Sequence, residues 1–267
     1  MYFGVINNPY CMKSWFLLIF ILFYVGSYAQ YNPLFDQSSK VDFKNISADI
    51  SILPKEKEVK GSVRYQFEIL SATDSIYLDT KNMHFEQVLL NNSPVEFYND
   101  STRLWFIADF KPSQKNTLDL TYSAKPKQTM YFINWGFADE SHITKQVWTQ
   151  GQGKYTSHWL PSFDDMREKA IFDLKINFKS GYEVIANGKL KGKISVNDSV
   201  SQWNYEMLKP MSSYLVAVVA GKFHQKDLES ASGIPISLYY QPGDDDQVEP
   251  TYRYTIEIFD FFESEIG

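Results

Sequence analysis

Gln150-Gly151-Gln152-Gly153 sets two side-chain amides one residue apart, with a glycine after each. In an extended chain, residues i and i+2 face the same way. A strand here therefore presents both amides to one partner, and the glycines let a ligand or another backbone come close. Each amide carries a carbonyl acceptor and two N–H donors, so the pair can hold an ammonium group by hydrogen bonds. Paired glutamines on a strand are also an ordinary solvated surface. Other chemistry-bearing residues are sparse. The histidines are His84, His142, His158 and His224. None is followed by Glu, and no two have the His-Glu-x-x-His spacing that puts two imidazoles on one helix face for zinc. There is no Gly-x-Ser-x-Gly elbow and no phosphate-binding glycine loop. The adjacent Asp164 and Asp165 face opposite ways on a strand, which favours a turn or structural role over an acid pair. His158, close to the glutamines, reads as a locally bonded strand histidine.

The elements that must position these residues are β-strands. Ile46, Ala48, Ile50 and Ile52 alternate with period two, as do Val59, Gly61, Val63, Tyr65 and Phe67. Such alternation predicts half-buried strands. Further strands are expected at 75–78, 85–90, 103–107, 117–122, 170–178, 183–186, 189–196, 201–208, 214–219 and 234–240. Leu53-Pro54-Lys55, Asn91-Asn92-Ser93-Pro94, Ser180-Gly181, Asn187-Gly188 and Asn197-Asp198 are turn signals between them. Asn187-Gly188, flanked by two alternating runs, predicts a two-residue hairpin. The expected fold is all-β, a large and mostly antiparallel twisted sheet or sandwich, followed by one C-terminal α-helix.

Longer motifs surround the glutamines. Gln150-Gly151-Gln152 is followed by Trp159-Leu160-Pro161-Ser162-Phe163-Asp164-Asp165 and Lys169-Ala170, and later by Met211-Ser212-Ser213-Tyr214-Leu215-Val216 and Gly221-Lys222-Phe223. In order and spacing this resembles the N-terminal domain of the aminopeptidase N family of zinc metallopeptidases, with the leukotriene hydrolase-like branch closest in its Gln-x-Gln. The resemblance runs from about Val41 to Ile266. It implies a saddle-like β-domain leaning over a separate catalytic domain, with Gln150 and Gln152 helping to hold the free amino terminus of a peptide substrate. It also implies zinc in the full-length parent, bound by His-Glu-x-x-His and a further Glu. This chain has neither that motif nor the family's Gly-x-Met-Glu-Asn loop, so no catalytic residue and no metal site is expected in it, and by itself it is expected to be inactive. Three positions depart from the pattern: Gln152 where Glu is frequent, Ser157 where Arg is common, and Met166 where Pro is frequent.

Composition sets the wider bounds. Aromatic residues are 16% of the chain, led by 20 Phe and 18 Tyr, enough to build a large β core. The formal net charge of -6, without a basic block, argues against nucleic acid or an anionic membrane surface as partners. Lys13, an apolar run over 15–25 and Ser27-Tyr28-Ala29 read as an export signal ending at residue 29, with residues 1–11 an upstream extension if Met12 is the start. The apolar run is shorter than the ~20 residues a spanning helix needs, so no stable membrane span is expected after cleavage, and the mature chain is expected to be periplasmic or secreted. Cys11, the single cysteine, lies in the segment that would be removed. Residues 30–246 are then the β-domain. Residues 247–267 read as the first helix of a catalytic domain, starting at Glu249 or Pro250, with Asp244-Asp245-Asp246 as a solvated loop before it. Arg253, Glu257, Asp260 and Ser264 form one narrow polar stripe on this helix, and Tyr252, Tyr254, Ile256, Ile258, Phe259, Phe261, Phe262 and Ile266 make nearly everything else apolar. Burying each such side chain is worth ~1.5–3 kcal/mol, so the helix calls for cover on most sides. The chain thus reads as the N-terminal piece of an exported zinc aminopeptidase. The rival reading is a free-standing exported β-sandwich that binds peptide, glycan or protein on Trp148, Tyr155 and Trp159.

Overall fold

The computed structural model describes residues 36–137 and 144–266. The export-signal reading, His142 and Cys11 lie outside the described residues. In chain order the strands are β1 (Val41–Leu53), β2 (Glu58–Ile69), β3 (Thr73–Asp79), β4 (Met83–Leu90), β5 (Ser93–Pro94), β6 (Glu96–Asn99), β7 (Arg103–Phe110) and β8 (Lys115–Ala124). They continue as β9 (Met130–Ile133), β10 (Gln146–Thr149), β11 (Ile171–Lys179), β12 (Glu183–Ala186), β13 (Lys189–Asn197) and β14 (Val200–Glu206). The last are β15 (Val218–Gly221), β16 (His224–Glu229) and β17 (Pro235–Tyr240), followed by helices α1 (Asp245–Tyr252) and α2 (Thr255–Ile266).

An eight-stranded sheet in the order β13-β14-β11-β1-β2-β8-β4-β5 is the frame. All its pairings are antiparallel except β1 with β11, which is parallel in the register Ile46↔Phe172 and Ile50↔Ile176. Alternation along β1 turns Ile46, Ala48, Ile50 and Ile52 inward and leaves Ser47, Asp49 and Ser51 half-exposed on the other face. Two smaller sheets cover the inner face. The three-stranded sheet β3-β7-β6 brings Phe106 and Phe110 within 6.2 and 6.3 Å of Phe67, ring centre to ring centre. The four-stranded sheet β12-β15-β10-β9 meets the other end, where Tyr205 Oη donates to the Val184 carbonyl at 2.7 Å and Trp135 lies edge-on to Phe178 at 5.8 Å. The expected all-β architecture with a mainly antiparallel sheet is what forms.

Three local expectations are corrected. Asn187-Gly188 does not join a paired hairpin: β12 belongs to the four-stranded sheet and β13 pairs only with β14. It is a corner between sheets. Gly188 has φ +91°, and a Cβ there would stand 2.4 Å from the Glu206 carbonyl oxygen. The Asn187 side chain is turned away from its own loop and accepts the Ala217 N–H at 2.6 Å. Second, the strand expected at 214–219 begins only at Val218, after a 3-10 turn over Ser213–Leu215. Third, the helical stretch begins earlier and breaks. Asp244 is the N-cap of α1, Asp245 and Asp246 fill its first turn, and Pro250 lies inside it. Carboxylates at that end meet the positive pole of the helix dipole, which turns the acidic run into a helix start. Residues 253 and 254 separate α1 from α2.

Among the described residues, nothing covers the outer face of the last helix. No residue of α2 is buried. Ile258, Phe261, Phe262 and Ile266 stand 54%, 59%, 52% and 77% exposed, a stripe at helical spacing. Of the expected polar stripe only Asp260 turns to the protein, beside half-buried Ile256, Phe259 and Glu263, while Arg253, Glu257 and Ser264 stay exposed: Asp260 accepts the Ala231 N–H at 2.9 Å and Glu263 the Ser232 hydroxyl at 2.8 Å.

Candidate functional site

The segment 159–164 is the keystone of the inner face. Trp159 and Leu160 are fully buried, as is Ser162. The Tyr65 hydroxyl donates to the Pro161 carbonyl and the Tyr122 hydroxyl to the Trp159 carbonyl at 2.9 Å. Ser162 exchanges both backbone hydrogen bonds with Asp79, at 2.7 and 3.1 Å. Trp159 is therefore core and offers no binding platform. Trp148 stacks on Tyr131 at 4.3 Å, and Tyr155 alone of the proposed aromatic trio is well exposed.

Asp164 ties the motifs together. Its Oδ1 accepts from the Ser162 hydroxyl at 2.6 Å and the Ser213 hydroxyl at 2.8 Å, and its Oδ2 accepts the Ser157 N–H at 3.1 Å. Ala170 and Met211 exchange backbone bonds at 3.1 and 2.9 Å, and the Ser212 hydroxyl reaches the Met166 carbonyl at 2.9 Å. The two distant sequence stretches thus form one buried cluster. Ser157, where an Arg was expected from the resemblance, sits inside it, 5% exposed.

Above the cluster lie the glutamines. They are not on a strand: β10 ends at Thr149, and 152–154 form a turn. Gln150 is held by its N–H to the Thr129 carbonyl at 2.8 Å. Gly151 is buried, and a Cβ there would come within 2.7 Å of the Tyr214 carbonyl oxygen and 2.9 Å of Thr156 Oγ1. Thr156 Oγ1 in turn donates to the Ser213 carbonyl at 2.8 Å. Glycine is required so that the loop can lie flat on this second motif, and the loop, rather than strand pleating, brings the two amides together. Gln150 and Gln152 line one recess of about 320 Å³ with Gln128, Thr129, Tyr131 and Tyr155. Gln128, Thr129 and Tyr131 carry no sequence signal for this role; they arrive through the β9–β10 pairing, which sets Met130 opposite Thr149.

The recess is a wall of amides and hydroxyls, able to accept hydrogen bonds from an ammonium group but with no nucleophile and no carboxylate base. His158 adjoins it in a 3-10 turn rather than a strand. Its Nε2 lies 3.2 Å from Gln128 Nε2. The two side chains are within hydrogen-bond reach, and which one donates follows the imidazole tautomer. Burial, and then the positive charge of Lys81, hold its pKa below the usual histidine value. Among the described residues no three His, Cys, Asp or Glu side chains are grouped to hold a metal ion, so these residues do not fit a zinc site.

A β-domain in which a buried aromatic-rich keystone carries an exposed Gln-x-Gln loop has the fold and motif order of an M1 peptidase N-terminal domain. Residues 37–215 match the Peptidase M1 N-terminal domain, and the chain belongs to that family. It is 22% identical to glutamyl aminopeptidase of Sus scrofa over 83% of this chain and 26% of that protein. To aminopeptidase N of Lactococcus lactis it is 23% identical over 73% of this chain and 23% of the relative. The chain thus spans about a quarter of the length of these relatives. Among solved structures it resembles an M1 zinc metallopeptidase from Deinococcus radiodurans, with a TM-score of 0.63 at 13% identity over 75% of this chain and 46% of the other.

Proposed function

We propose that this chain is the substrate-amine wall and scaffold of an exported zinc aminopeptidase, and that Gln150 and Gln152 hold the free amino terminus of the peptide. The observation that carries this reading is the convergence of both amides on one open recess, fixed from below by Gly151, Thr156 and the Asp164 cluster. The reading is supported by the family membership and by relatives named as aminopeptidases. The zinc and the general base belong to a catalytic domain that this chain does not contain, and its residues contribute hydrogen bonds and shape, not proton transfer. That same catalytic domain is the natural cover for the open stripe on α2. A neutral Gln152 grips an ammonium less strongly than a carboxylate, since it lacks the opposite charge that adds ion-pair attraction to the hydrogen bond.

Two measurements test this. Gln152→Ala in the full-length enzyme is expected to raise KM for an aminoacyl chromogenic substrate by ~10-fold or more, the loss of one hydrogen bond to a charged group, and Gln152→Glu to lower it. An unchanged KM in both would sink the assignment. The chain alone, supplied with zinc, is expected to show no turnover; sustained turnover by the purified chain would overturn the division of labour.

A further inference from the structure

A second recess of about 450 Å³ adjoins the glutamine recess, and Gln128 and Tyr155 line both. Three cations, Lys81, Arg103 and Lys154, and four carboxylates, Asp79, Asp100, Asp164 and Asp165, face it. By formal charge the lining holds one more carboxylate than cation, a balance that by itself favours a cation. The hydrogen bonds reverse that balance, because the carboxylates are engaged within the protein. Asp164 holds its three donors. Asp165 is clamped on Arg167, with Oδ1 3.1 Å from Nε and Oδ2 2.7 Å from Nη2. Asp79 Oδ2 accepts the Asp164 N–H at 3.0 Å. Asp100 Oδ1 accepts the Thr102 N–H, the Thr102 hydroxyl and the Arg103 N–H at 2.8, 2.6 and 2.7 Å.

The cations are not spent. Lys81 and Lys154 are exposed on the rim and make no ion pair among the described residues. Arg103 makes one long contact, Nε to Asp79 Oδ1 at 3.4 Å. Its guanidinium carbon lies 4.0 Å from the centre of the Tyr77 ring and 5.8 Å from that of Trp105. Tyr77, Trp105 and Tyr98 form one row across β3, β7 and β6. Stacking on that row orients the fork, and both terminal nitrogens have no hydrogen-bond partner among the described residues. A pre-oriented guanidinium with two free ammonium groups at its side is the arrangement that recognises a planar or tetrahedral oxyanion.

We propose that this recess binds a small molecule through a carboxylate or phosphate group, with Arg103 as the bidentate anchor and Lys81 and Lys154 as flanking charges. The volume lies within the ~300–1,000 Å³ of small-molecule pockets, and Tyr155 and the edge of Phe163 on its wall give the body of the ligand an apolar rest. The site stands independently of what the glutamines hold. His158 lines it too, and an anion that offsets the charge of Lys81 relieves part of what depresses that imidazole.

The test titrates the purified chain with inorganic phosphate, glutarate and chloride at constant ionic strength, following heat and the His158 ring-proton NMR signals. One oxyanion is expected to bind saturably, with a shift of the His158 signals, while chloride does not; tighter phosphate assigns a phosphate group, tighter glutarate a carboxylate. Arg103→Lys, which keeps the charge but loses the fork, is expected to weaken binding by ~10-fold. The double variant Lys81→Gln, Lys154→Gln should abolish it, and both substitutions are at exposed side chains that leave the fold intact. Absence of saturation by either oxyanion up to ~10 mM, a Kd corresponding to under ~3 kcal/mol, overturns the proposal. So does binding that is unchanged in both variants with an unmoved His158.

Discussion

Glu168→Gln is expected to stabilise the domain at pH 8 and to change nothing at pH 4. Glu168 is half-buried beside the start of β1, where its Oε1 accepts the Phe43 N–H at 2.5 Å. Burial is the main cause that pushes its pKa from the ordinary 4.5 up to about 7, and the nearby Asp42 and Asp165 add to it against the Phe43 hydrogen bond and Lys44. The folded chain therefore holds a proton on this carboxyl that the unfolded chain has released. Stability from that proton is fully present below pH 4.5, declines as pH rises, and is lost once pH passes about 7. The difference between the two values corresponds to ~3 kcal/mol at ~1.4 kcal/mol per pH unit. Solvent screening of a half-buried group trims this to about 1–2 kcal/mol. Glutamine keeps the carbonyl acceptor for Phe43 and carries no charge at any pH. Urea unfolding of both proteins at pH 4, 6 and 8, followed by tryptophan fluorescence, should give curves that coincide at pH 4 and separate by about 1–2 kcal/mol at pH 8, with the variant the more stable. A constant offset across pH, or a wild type that gains on the variant as pH rises, would refute the reasoning. Comparing the two proteins cancels other titrations, such as that of Asp36, whose carboxyl the Arg167 side chain lowers to about 2.

Three further perturbations probe the site and its frame. Asp164→Ala strands the buried Ser157 N–H and the Ser162 hydroxyl and leaves the Ser213 hydroxyl only the Phe163 carbonyl at 3.3 Å; a loss of about 3 kcal/mol is expected in denaturant unfolding, and a loss under ~1 kcal/mol would deny the cluster its structural role. Gly151→Ala forces a methyl to within 2.7 Å of a backbone oxygen, so the thermal midpoint should fall by the equivalent of ~1–3 kcal/mol; an unchanged midpoint would mean the loop is free to lift. Phe261→Asp with Ile258→Asp removes apolar surface that is already exposed, so soluble monomer measured by light scattering should rise while the unfolding midpoint of the β-domain stays put; a fall of that midpoint would show that α2 packs on the domain.

Much of the frame was legible from alternation alone, because β1, β2, β8 and β11 each present one face to the core and one to water, and period two records that. The strands that escaped are short or uniformly exposed. β9 and β10 have four residues each, too few for a pattern, and β16 has no buried residue at all. Yet β9 and β10 are what build the glutamine recess, so the motif was visible and its walls were not. Asn187-Gly188 misled for a related reason: the dipeptide records a backbone turn but not which sheet the next strand joins. The pairing of Gln150 with Gln152 came through although the strand did not, since the loop that replaces it is dictated by the close approach of Tyr214, a contact that no local pattern encodes. Burial of the last helix was a fair expectation from its composition; the structure shows which face lacks a neighbour.

The parallel pairing of β1 with β11 has a consequence in time. Asn45 and Asp173, joined across it at 3.1 Å, are 128 residues apart in the chain. β1 lies inside the large sheet, so between its own synthesis and the arrival of β11 it must wait with a full row of backbone donors and acceptors unpaired. Such distant closure is paid in loop entropy before any contact rewards it, which makes folding slow. A nascent or cleaved chain that stops short of residue 171 carries a long, half-apolar open edge, the form most prone to pair with a neighbour of its own kind. The order in which the ribosome delivers the strands, and not their final stability, sets when this domain is at greatest risk.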